Sequence, residues 1–318
     1  MQKILFLRDY KCVSGGHIKV RDYFMHCLHH PRLDPYLYFT PDSTFHGDPL
    51  WVPVPTDKIV QEVRPEQYDL VFVAGVDWEF LPPSLDGKKI INFIQGVRHG
   101  ERSDERFPYL SRPCLRICVS QQVSESITPH VNGEAVVIEN GIPLEMFGVE
   151  STKIDQSVLI WAQKNLRLGQ GLYRRLKERK VNVRLLADYL PREAFASEMA
   201  RSDIFIALPQ RAEGFYLPAL EAMAGRCAVV CSDAIGNRGF CVNGQTCLMP
   251  EFDNENSHFD AICRLLANHE LKEKIRAQGT TRAKVFSLQA EREKFHLFLQ
   301  RFFQEPEENN LFGTKSHP

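Results

Sequence analysis

Short apolar runs alternate with longer amphipathic stretches along this chain, and that alternation constrains its fold more than any other feature. A first series of apolar, strand-like runs occupies residues 3–7, 69–74, 89–94, 115–120 and 135–138. A second series occupies residues 157–161, 182–186, 204–208 and 228–231. Alternating strand and helix patterns predict parallel sheets joined by right-handed crossovers. Two successive series therefore predict an α/β chain with two such domains.

The turn signal Glu139-Asn-Gly-Ile-Pro143 separates the two series. We expect a first domain over residues 1–146 and a second over residues 147–287. Residues 288–303 carry apolar side chains at helical spacing after Ser287, which predicts a long capped helix. Residues 304–318 are rich in Glu, Asn, Pro and Gly, and we expect a flexible tail there.

Composition excludes several classes of protein. The formal net charge is −1, so nothing global favours a nucleic-acid partner. The apolar run at the N-terminus ends at Arg8 and is too short for a signal peptide, and no run reaches the ~18 apolar residues of a membrane span. The nine cysteines include no C-x-x-C pair. We expect buried, reduced thiols in a cytoplasmic protein, with a disulfide or zinc framework as the alternative.

Two glutamates eight positions apart, Glu213 and Glu221, follow the apolar run 203–208. A helix is expected to begin near Pro218, because proline is tolerated at a first helical position. Glu213 then lies in the loop after a strand and Glu221 one turn inside the next helix. Ligands of open α/β sheets bind outside the carboxyl ends of the strands, and carboxylates accept hydrogen bonds from sugar hydroxyls. The alternative is a pair of solvated surface glutamates.

The residues around this pair resemble a known family. Glu213-Gly-Phe-Tyr-Leu-Pro-Ala-Leu-Glu221-Ala-Met-Ala resembles the E-x₇-E signature of family 4 retaining glycosyltransferases (glycosyl transferases group 1). Residues 229–250 and 137–147 resemble further segments of that family, so the match spans roughly 137–303 and is weak over 1–136. The resemblance implies the GT-B fold, in which two Rossmann-like parallel-sheet domains face a cleft. It also implies that the C-terminal helix packs back on the first, acceptor-binding domain.

The resemblance assigns the donor, a nucleotide-diphosphate sugar, to the second domain. Glu213 would contact sugar hydroxyls, and Glu221 would accept hydrogen bonds from the ribose. The backbone N–H groups of Gly214, Phe215 and Tyr216 would lie near the sugar and phosphates, with Leu217 completing the donor-binding set. Amides at a helix N-terminus suit a diphosphate, and a glycine lets the backbone approach a ligand closely.

The expected diphosphate ligands depart from the family pattern. Members usually carry G-R-x₄-K-G after the first strand of the second domain, but here Gln163 and Leu168 stand at the Arg and Lys positions. Lys164 and Arg167 each lie one position away, and we predict that they neutralise the leaving diphosphate. The alternative is that both are surface charges. Arg238, after the turn at Gly236, is a reserve candidate.

The first domain offers weaker signals. Gly15 and Gly16, after the first strand, resemble the family's glycine turn that faces the donor phosphate and acceptor; a plain turn, with His17 as an exposed histidine, is the alternative. This turn is not G-x-G-x-x-G, which argues against a dehydrogenase. His99 follows the strand 89–94 where many members place a catalytic histidine, and the resemblance implies that His99 or Gln95 aligns the acceptor; a surface-loop histidine is the alternative. The other candidates at the cleft edge are Asp77 and Glu79.

The resemblance therefore implies a metal-independent, retaining glycosyltransferase of hexosyltransferase type, with no cofactor beyond the nucleotide sugar itself. The acceptor is open among a glycan, a lipid-linked and a small-molecule acceptor. The basic run 174–180 is interpreted as a solvated helix face, with contact to a peripheral membrane surface as the alternative. Two other functions stay open: an epimerase- or phosphorylase-like GT-B enzyme, and a non-catalytic GT-B binding subunit.

Overall fold

The computed structural model describes residues 1–82, 85, 87–148 and 152–304. These residues form two units, one of residues 1–139 with the chain from 292 onward, and one of residues 140–291. The division at 139/140 falls seven residues before the expected one at 146/147. Residues 149–151 of the polar stretch after the first series, and residues 305–318 of the predicted tail, lie outside the described part of the chain.

The first unit contains a seven-stranded parallel sheet in the order β3-β2-β1-β4-β5-β6-β7. Its strands are β1 (Gln2–Arg8), β2 (Leu33–Phe39), β3 (Ile59–Val60), β4 (Leu70–Ala74), β5 (Lys89–Ile94), β6 (Leu115–Cys118) and β7 (Ala135–Val137). Its helices are α1 (Gly15–Leu28) and α2 (Gln121–Ile127). The order is that of a Rossmann sheet, whose strand order reverses between β1 and β4.

Two strands of this sheet, β2 and β3, are absent from the expected series. The sequence of β2, Leu33-Asp-Pro-Tyr-Leu-Tyr-Phe39, contains a charged residue and a proline that interrupt the apolar pattern. The strand nevertheless pairs along its whole length with β1, while β3 pairs only with Leu37 and Tyr38, beyond Pro35. Proline is tolerated in a strand where no partner needs its missing N–H.

The second unit contains a four-stranded parallel sheet in the order β11-β10-β8-β9. Its strands are β8 (Ile154–Trp161), β9 (Val183–Leu186), β10 (Ser202–Ala207) and β11 (Ala228–Cys231). Its helices are α3 (Leu144–Phe147), α4 (Leu166–Glu178), α5 (Arg192–Arg201), α6 (Leu217–Ala224), α7 (Glu255–Ala267) and α8 (His269–Ala283). Strands β10 and β11 are buried at every residue, as expected of a parallel sheet covered on both faces.

The C-terminal helix α9 (Leu288–Gln304) belongs to the second unit up to Glu291 and to the first from Arg292. In the first unit its Phe295 packs against Tyr23, with 4.8 Å between ring centroids, and is fully buried. Lys294 pairs with Glu139 at 3.0 Å. In the second unit, Ile142 exchanges backbone hydrogen bonds with Phe286 and Leu288 on either side of Ser287.

Each unit has its own apolar core. In the second unit the core lies between the sheet and helices α4, α7 and α8, with Leu172, Ile206, Val230 and Ile262 among its buried members. The cysteines are free thiols, and apart from exposed Cys12 and half-buried Cys263 they are buried. The apolar runs of the sequence therefore form strands whose side chains are buried in these cores.

Candidate functional site

The centre of the second sheet provides the place for a site. Strands β8 and β10 are neighbours, but β8 connects outward to β9 and β10 connects outward to β11. A crevice for ligands forms outside the carboxyl ends of two such strands, where the strand order reverses. The residues that follow β8 lead to Lys164, and those that follow β10 lead to Glu213.

Lys164 and Glu213 meet at this crevice. The Lys164 Nζ lies 3.4 Å from the Glu213 Oε1, and the side chains are 39% and 18% exposed. The loop that carries Lys164 is anchored by Asn165, whose side chain caps α4 at Leu168 and donates a hydrogen bond to Asp253 at 2.9 Å. A partly exposed cation beside a half-buried carboxylate can face a ligand that carries both phosphate and hydroxyl groups.

The second predicted cation is placed differently. Arg167 lies in the first turn of α4, is exposed, and makes no ion pair with a described residue. The structure thus brings Lys164, and not Arg167, into contact with Glu213. The reserve candidate Arg238 forms two hydrogen bonds to Asp233, at 3.0 and 2.7 Å, so its charge is already compensated.

A turn after β11 supports the loop that carries Glu213. The backbone N–H of Gly236 donates to the Glu213 carbonyl at 3.0 Å, and the Ile235 N–H donates to the Arg211 carbonyl at 3.0 Å. A Cβ atom at Gly236 would lie 1.9 Å from the carbonyl oxygen of Gly214. Only glycine therefore permits this close approach of two backbones.

The predicted donor-binding amides divide into two groups. The Tyr216 N–H donates to the Asn237 Oδ1 at 2.8 Å, so the expectation that this amide is available to a ligand is corrected. No described residue accepts a hydrogen bond from the N–H of Gly214 or Phe215. Both amides precede α6, which begins at Leu217, where unpaired N–H groups attract anions.

Side chains in this segment point into the protein. The Phe215 ring packs against Phe240 and Phe286, at 4.9 and 5.9 Å between centroids. Burial raises the pKa of Tyr216 well above its usual value. The side chains of Phe215, Tyr216 and Leu217 thus hold the loop in place, and ligand contact from this segment would come from its backbone.

Glu221 lies inside α6 and is 4% exposed. Its Oε1 accepts a hydrogen bond from the Arg192 Nη2 at 2.8 Å, and this ion pair is largely buried. The Arg192 guanidinium also lies over the Phe147 ring, 5.4 Å from its centroid. The sequence analysis did not identify Arg192 as a site residue. The one signal in the sequence is a cation at the start of a helix, where the macrodipole disfavours positive charge.

The glycine turn of the first unit lies where the sequence places it. Helix α1 begins at Gly15, and Ser14 caps it by accepting from the His17 N–H at 3.4 Å. The Gln95 side chain donates to the Gly16 carbonyl at 3.1 Å, which joins the ends of β1 and β5. His17 is not an exposed histidine, because its ring packs against Tyr10 and burial lowers its pKa to about 4.

His99 is buried in the first unit, with only 4% of the residue exposed. Burial lowers its pKa to about 3, and the nearby Arg106 charge acts in the same direction. The expectation of a histidine at an accessible cleft edge does not fit this burial, so its catalytic role stays a prediction from the resemblance.

The Asp77 side chain, like that of His99, is buried in the first unit. Its carboxylate is fully buried, pairs with Arg8 at 2.6 Å and accepts from the Ala74 N–H at 2.8 Å. This pair fills the point of the first sheet where the strand order reverses, between β1 and β4. The expectation that Asp77 is a candidate site residue does not agree with that engagement. Glu79 accepts a hydrogen bond from the exposed Tyr109 hydroxyl at 3.3 Å.

The basic run on α4 is partly used in packing. Arg175 and Arg179 lie over the Phe259 ring, at 3.8 and 4.8 Å from its centroid, and Arg175 also pairs with Glu255 at 3.4 Å. Within the described ranges, no three His, Cys, Asp or Glu side chains are grouped so that they could hold a metal ion. No helix of those ranges is both long and apolar enough to cross a membrane.

Part of the chain that carries these residues is similar to known proteins. Residues 158–268 match the family model described as glycosyl transferases group 1. The chain is 28% identical over 194 residues to an uncharacterized glycosyltransferase of Methanocaldococcus jannaschii, covering 54% of this chain and 55% of that protein. It is 36% identical over 89 residues to the N-acetylgalactosamine-N,N'-diacetylbacillosaminyl-diphospho-undecaprenol 4-alpha-N-acetylgalactosaminyltransferase of Campylobacter jejuni, covering 28% and 24%. The chain thus spans about half or less of the length of these curated relatives.

Solved structures match over nearly the whole chain. Sucrose-phosphate synthase of Thermosynechococcus elongatus aligns with a TM-score of 0.71 at 14% identity, covering 95% of this chain and 99% of that one. The Anabaena protein HepE in complex with UDP-glucose aligns with a TM-score of 0.72 at 13% identity, covering 95% and 100%. The predicted GT-B fold is therefore confirmed. The predicted resemblance to group 1 glycosyl transferases is confirmed for residues 158–268, the segment that carries Lys164, Glu213 and Glu221.

Proposed function

We propose that this protein is a retaining glycosyltransferase that transfers a hexose-type sugar from a nucleotide-diphosphate sugar to an acceptor. The observation that carries the proposal is the contact of Lys164 with Glu213 at the carboxyl ends of β8 and β10. The unpaired amides of Gly214 and Phe215 adjoin it. One crevice thus offers a cation, a carboxylate and amide donors, which match a diphosphate joined to a sugar.

Each group has a proposed role. Glu213 accepts hydrogen bonds from donor sugar hydroxyls, and the amides of Gly214 and Phe215 bind the diphosphate. Lys164 stabilises the negative charge on the departing nucleotide, with Arg167 as an outer contributor. Glu221 accepts hydrogen bonds from the ribose hydroxyls. For Gly15, Gly16 and His99 in the first unit, contact with donor phosphate or acceptor rests on the family resemblance alone.

The proposed mechanism is a front-face displacement. The bond from the anomeric carbon to the diphosphate oxygen breaks while the acceptor oxygen forms its bond on the same face. The acceptor proton passes to the departing diphosphate, which Lys164 and the loop amides stabilise. The configuration of the anomeric carbon is thereby retained, and the charge stabilisation comes from the protein, so that we propose transfer without a metal ion.

The acceptor is proposed to be a glycan, a lipid-linked saccharide or a small molecule. The printed name of the Campylobacter relative includes a diphospho-undecaprenol acceptor. In the basic run 174–180, Arg174 on α4 and Lys180 just after the helix are exposed and take no part in the contacts that Arg175 and Arg179 make with Phe259. A cytoplasmic protein that touches an anionic membrane surface through these side chains would reach a lipid-linked acceptor.

A donor screen tests the proposal. Purified protein would be incubated with UDP-, GDP- and ADP-sugars, beginning with UDP-glucose because the Anabaena neighbour was solved with it. Nucleotide release and binding would be measured with and without EDTA. We expect release from one donor class, unchanged by EDTA, and loss of at least ~10²-fold in Glu213→Ala. No release and no binding of any nucleotide would refute the proposal.

Product analysis separates the remaining alternatives. An epimerase would convert a labelled donor sugar without an acceptor, and a phosphorylase-like enzyme would require phosphate. A non-catalytic subunit would bind nucleotide or glycan but keep its function in the Glu213→Ala variant. The substitution of the usual Arg and Lys by Gln163 and Leu168 motivates that last alternative. Retention would be read from the anomeric proton coupling of the product.

A further inference from the structure

Helix α6 is almost wholly apolar apart from Glu221. Its sequence is Leu217-Pro-Ala-Leu-Glu-Ala-Met-Ala224, and all of these residues except Pro218 are buried. A carboxylate in such a helix loses hydration on folding, and this cost must be offset by a partner or by a function. One partner of Glu221 within the second unit is Arg192 on α5.

Arg192 makes two contacts, one with that carboxylate and one with an aromatic ring. Its Nη2 donates to the Glu221 Oε1 at 2.8 Å, and its guanidinium plane lies over the buried Phe147 ring at 5.4 Å. The side chain is only 15% exposed, so the pair is sheltered from competing water. A guanidinium held on an aromatic face and bonded to one carboxylate oxygen fixes the direction in which that carboxylate points.

Stability alone gives little reason for this arrangement. A buried ion pair is often no more stabilising than apolar side chains of the same volume. Arg192 also occupies the first position of α5, where the helix dipole disfavours a cation. Both arguments indicate that the pair is retained for what the oriented carboxylate does.

We propose that Arg192 is a positioning residue that orients Glu221 so that the site selects a ribonucleotide donor over its deoxy analogue. The inference rests on the proposed function, in which Glu221 binds the ribose hydroxyls. Arg192 itself touches neither the sugar nor the diphosphate. It restricts Glu221 to the rotamer that presents a lone pair to the ribose, and the site then loses a charged hydrogen bond whenever a ribose hydroxyl is missing.

The test compares the binding of ribo- and deoxynucleotides in the wild type and its variants. Affinities for UDP, 2′-deoxy-UDP and 3′-deoxy-UDP would be measured by calorimetry in the wild type, Arg192→Met, Arg192→Lys and Glu221→Gln. GDP and ADP with their deoxy forms would replace them if the donor screen selects another base. The matched control is Arg175→Met, because Arg175 also pairs with a carboxylate and lies over an aromatic ring in the same unit.

We expect the wild type to prefer the ribonucleotide by about 10- to 100-fold, the value of one hydrogen bond to a charged group. Arg192→Met and Glu221→Gln should bring that preference to within about 3-fold, and Arg192→Lys should restore part of it. Arg175→Met should keep the full preference. Combining Arg192→Met with Glu221→Gln should cause no further loss, because both act through one carboxylate.

Other outcomes separate the inference from the function on which it rests. Equal weakening of both nucleotides in Arg192→Met, with the preference intact, would make Arg192 purely structural and overturn the inference while donor binding stands. A wild type that binds ribo- and deoxynucleotides equally would remove Glu221 from the ribose. A wild type that binds no nucleotide would overturn both proposals. If Arg192→Met fails to fold, a full preference in Arg192→Lys together with its loss in Glu221→Gln overturns the inference.

Discussion

Replacing Gly236 by alanine should disable the site through backbone displacement alone. The added Cβ would lie 1.9 Å from the Gly214 carbonyl oxygen and 2.7 Å from that of Glu213. Neither group is the end of a flexible side chain, so the backbone itself must move. The loop after β10 and the turn after β11, which the Gly236–Glu213 hydrogen bond joins, would have to separate.

The size of that displacement follows from the distances. Real Cβ atoms essentially never approach closer than 3.0 Å, so the two backbones must move apart by about 1 Å. A misplacement of ~1 Å in a catalytic group can cost about 10²-fold in rate, which corresponds to about 2.7 kcal/mol of transition-state stabilisation. Overpacking of this kind lowers the free energy of unfolding by about 1–3 kcal/mol.

The assay is donor turnover by Gly236→Ala with the nucleotide sugar found in the screen, alongside thermal unfolding. Gly244→Ala is the matched control in the same segment. Gly244 has φ +73°, but nothing lies within 4 Å of an added Cβ. It should therefore lose about 1 kcal/mol of stability through backbone strain and keep its turnover.

The comparison of the two variants tests whether the turn at Gly236 positions Glu213. Full turnover in Gly236→Ala, with a loss of stability like that of Gly244→Ala, would refute the reasoning that this turn positions Glu213. A loss of turnover in both variants would show that the whole segment, rather than the Gly236 contact, controls the site.

Three further predictions concern charge. Lys164→Ala should lower kcat by ~10²- to 10³-fold in single-turnover transfer, whereas Arg167→Ala should have a smaller effect; equal effects would contradict the primary role of Lys164. Asp203→Asn removes the buried carboxylate that pairs with the Lys272 Nζ at 2.6 Å. It should lower the free energy of unfolding, measured in urea, by about 3–5 kcal/mol. Asp155→Asn, at a side chain that is 83% exposed, should change that free energy by less than ~0.5 kcal/mol. Burial lowers the pKa of His99 to about 3 from its ordinary 6.5, so the unfolded chain binds the extra proton between those values. The contribution of the neutral His99 ring to the free energy of unfolding is therefore complete above pH 6.5. It decreases as the pH drops towards 3, by at most ~1.4 kcal/mol per pH unit. His99→Gln should show a shallower loss over that range, and identical slopes would refute the assignment.

The expected strands that the structure contains are those with uninterrupted apolar runs. The runs 89–94 and 228–231 coincide with β5 and β11. Buried parallel strands can be predicted from the sequence because both of their faces need apolar side chains. Strand β2 was missed because Asp34 and Pro35 hide its pattern, and its pairing with β1 depends on residues far away in the sequence.

Helix α4 begins at Leu166. The Asn165 side chain fixes this start, because it caps the helix by accepting a hydrogen bond from the Leu168 N–H. Helix boundaries depend on such single side-chain contacts, whereas the existence of a helix depends on the sum over many residues.

The sequence by itself determined the α/β class, the position of the two glutamates on a strand, loop and helix, and the resemblance of that segment to group 1 glycosyl transferases. Those properties follow from local periodicity and from a contiguous motif, because both are written in neighbouring residues. The tertiary structure decided which cation meets Glu213, that the Tyr216 amide is already bonded to Asn237, and that Arg192 holds Glu221. Each of these contacts joins residues between 21 and 49 positions apart, and only the pairing order of the strands brings them together.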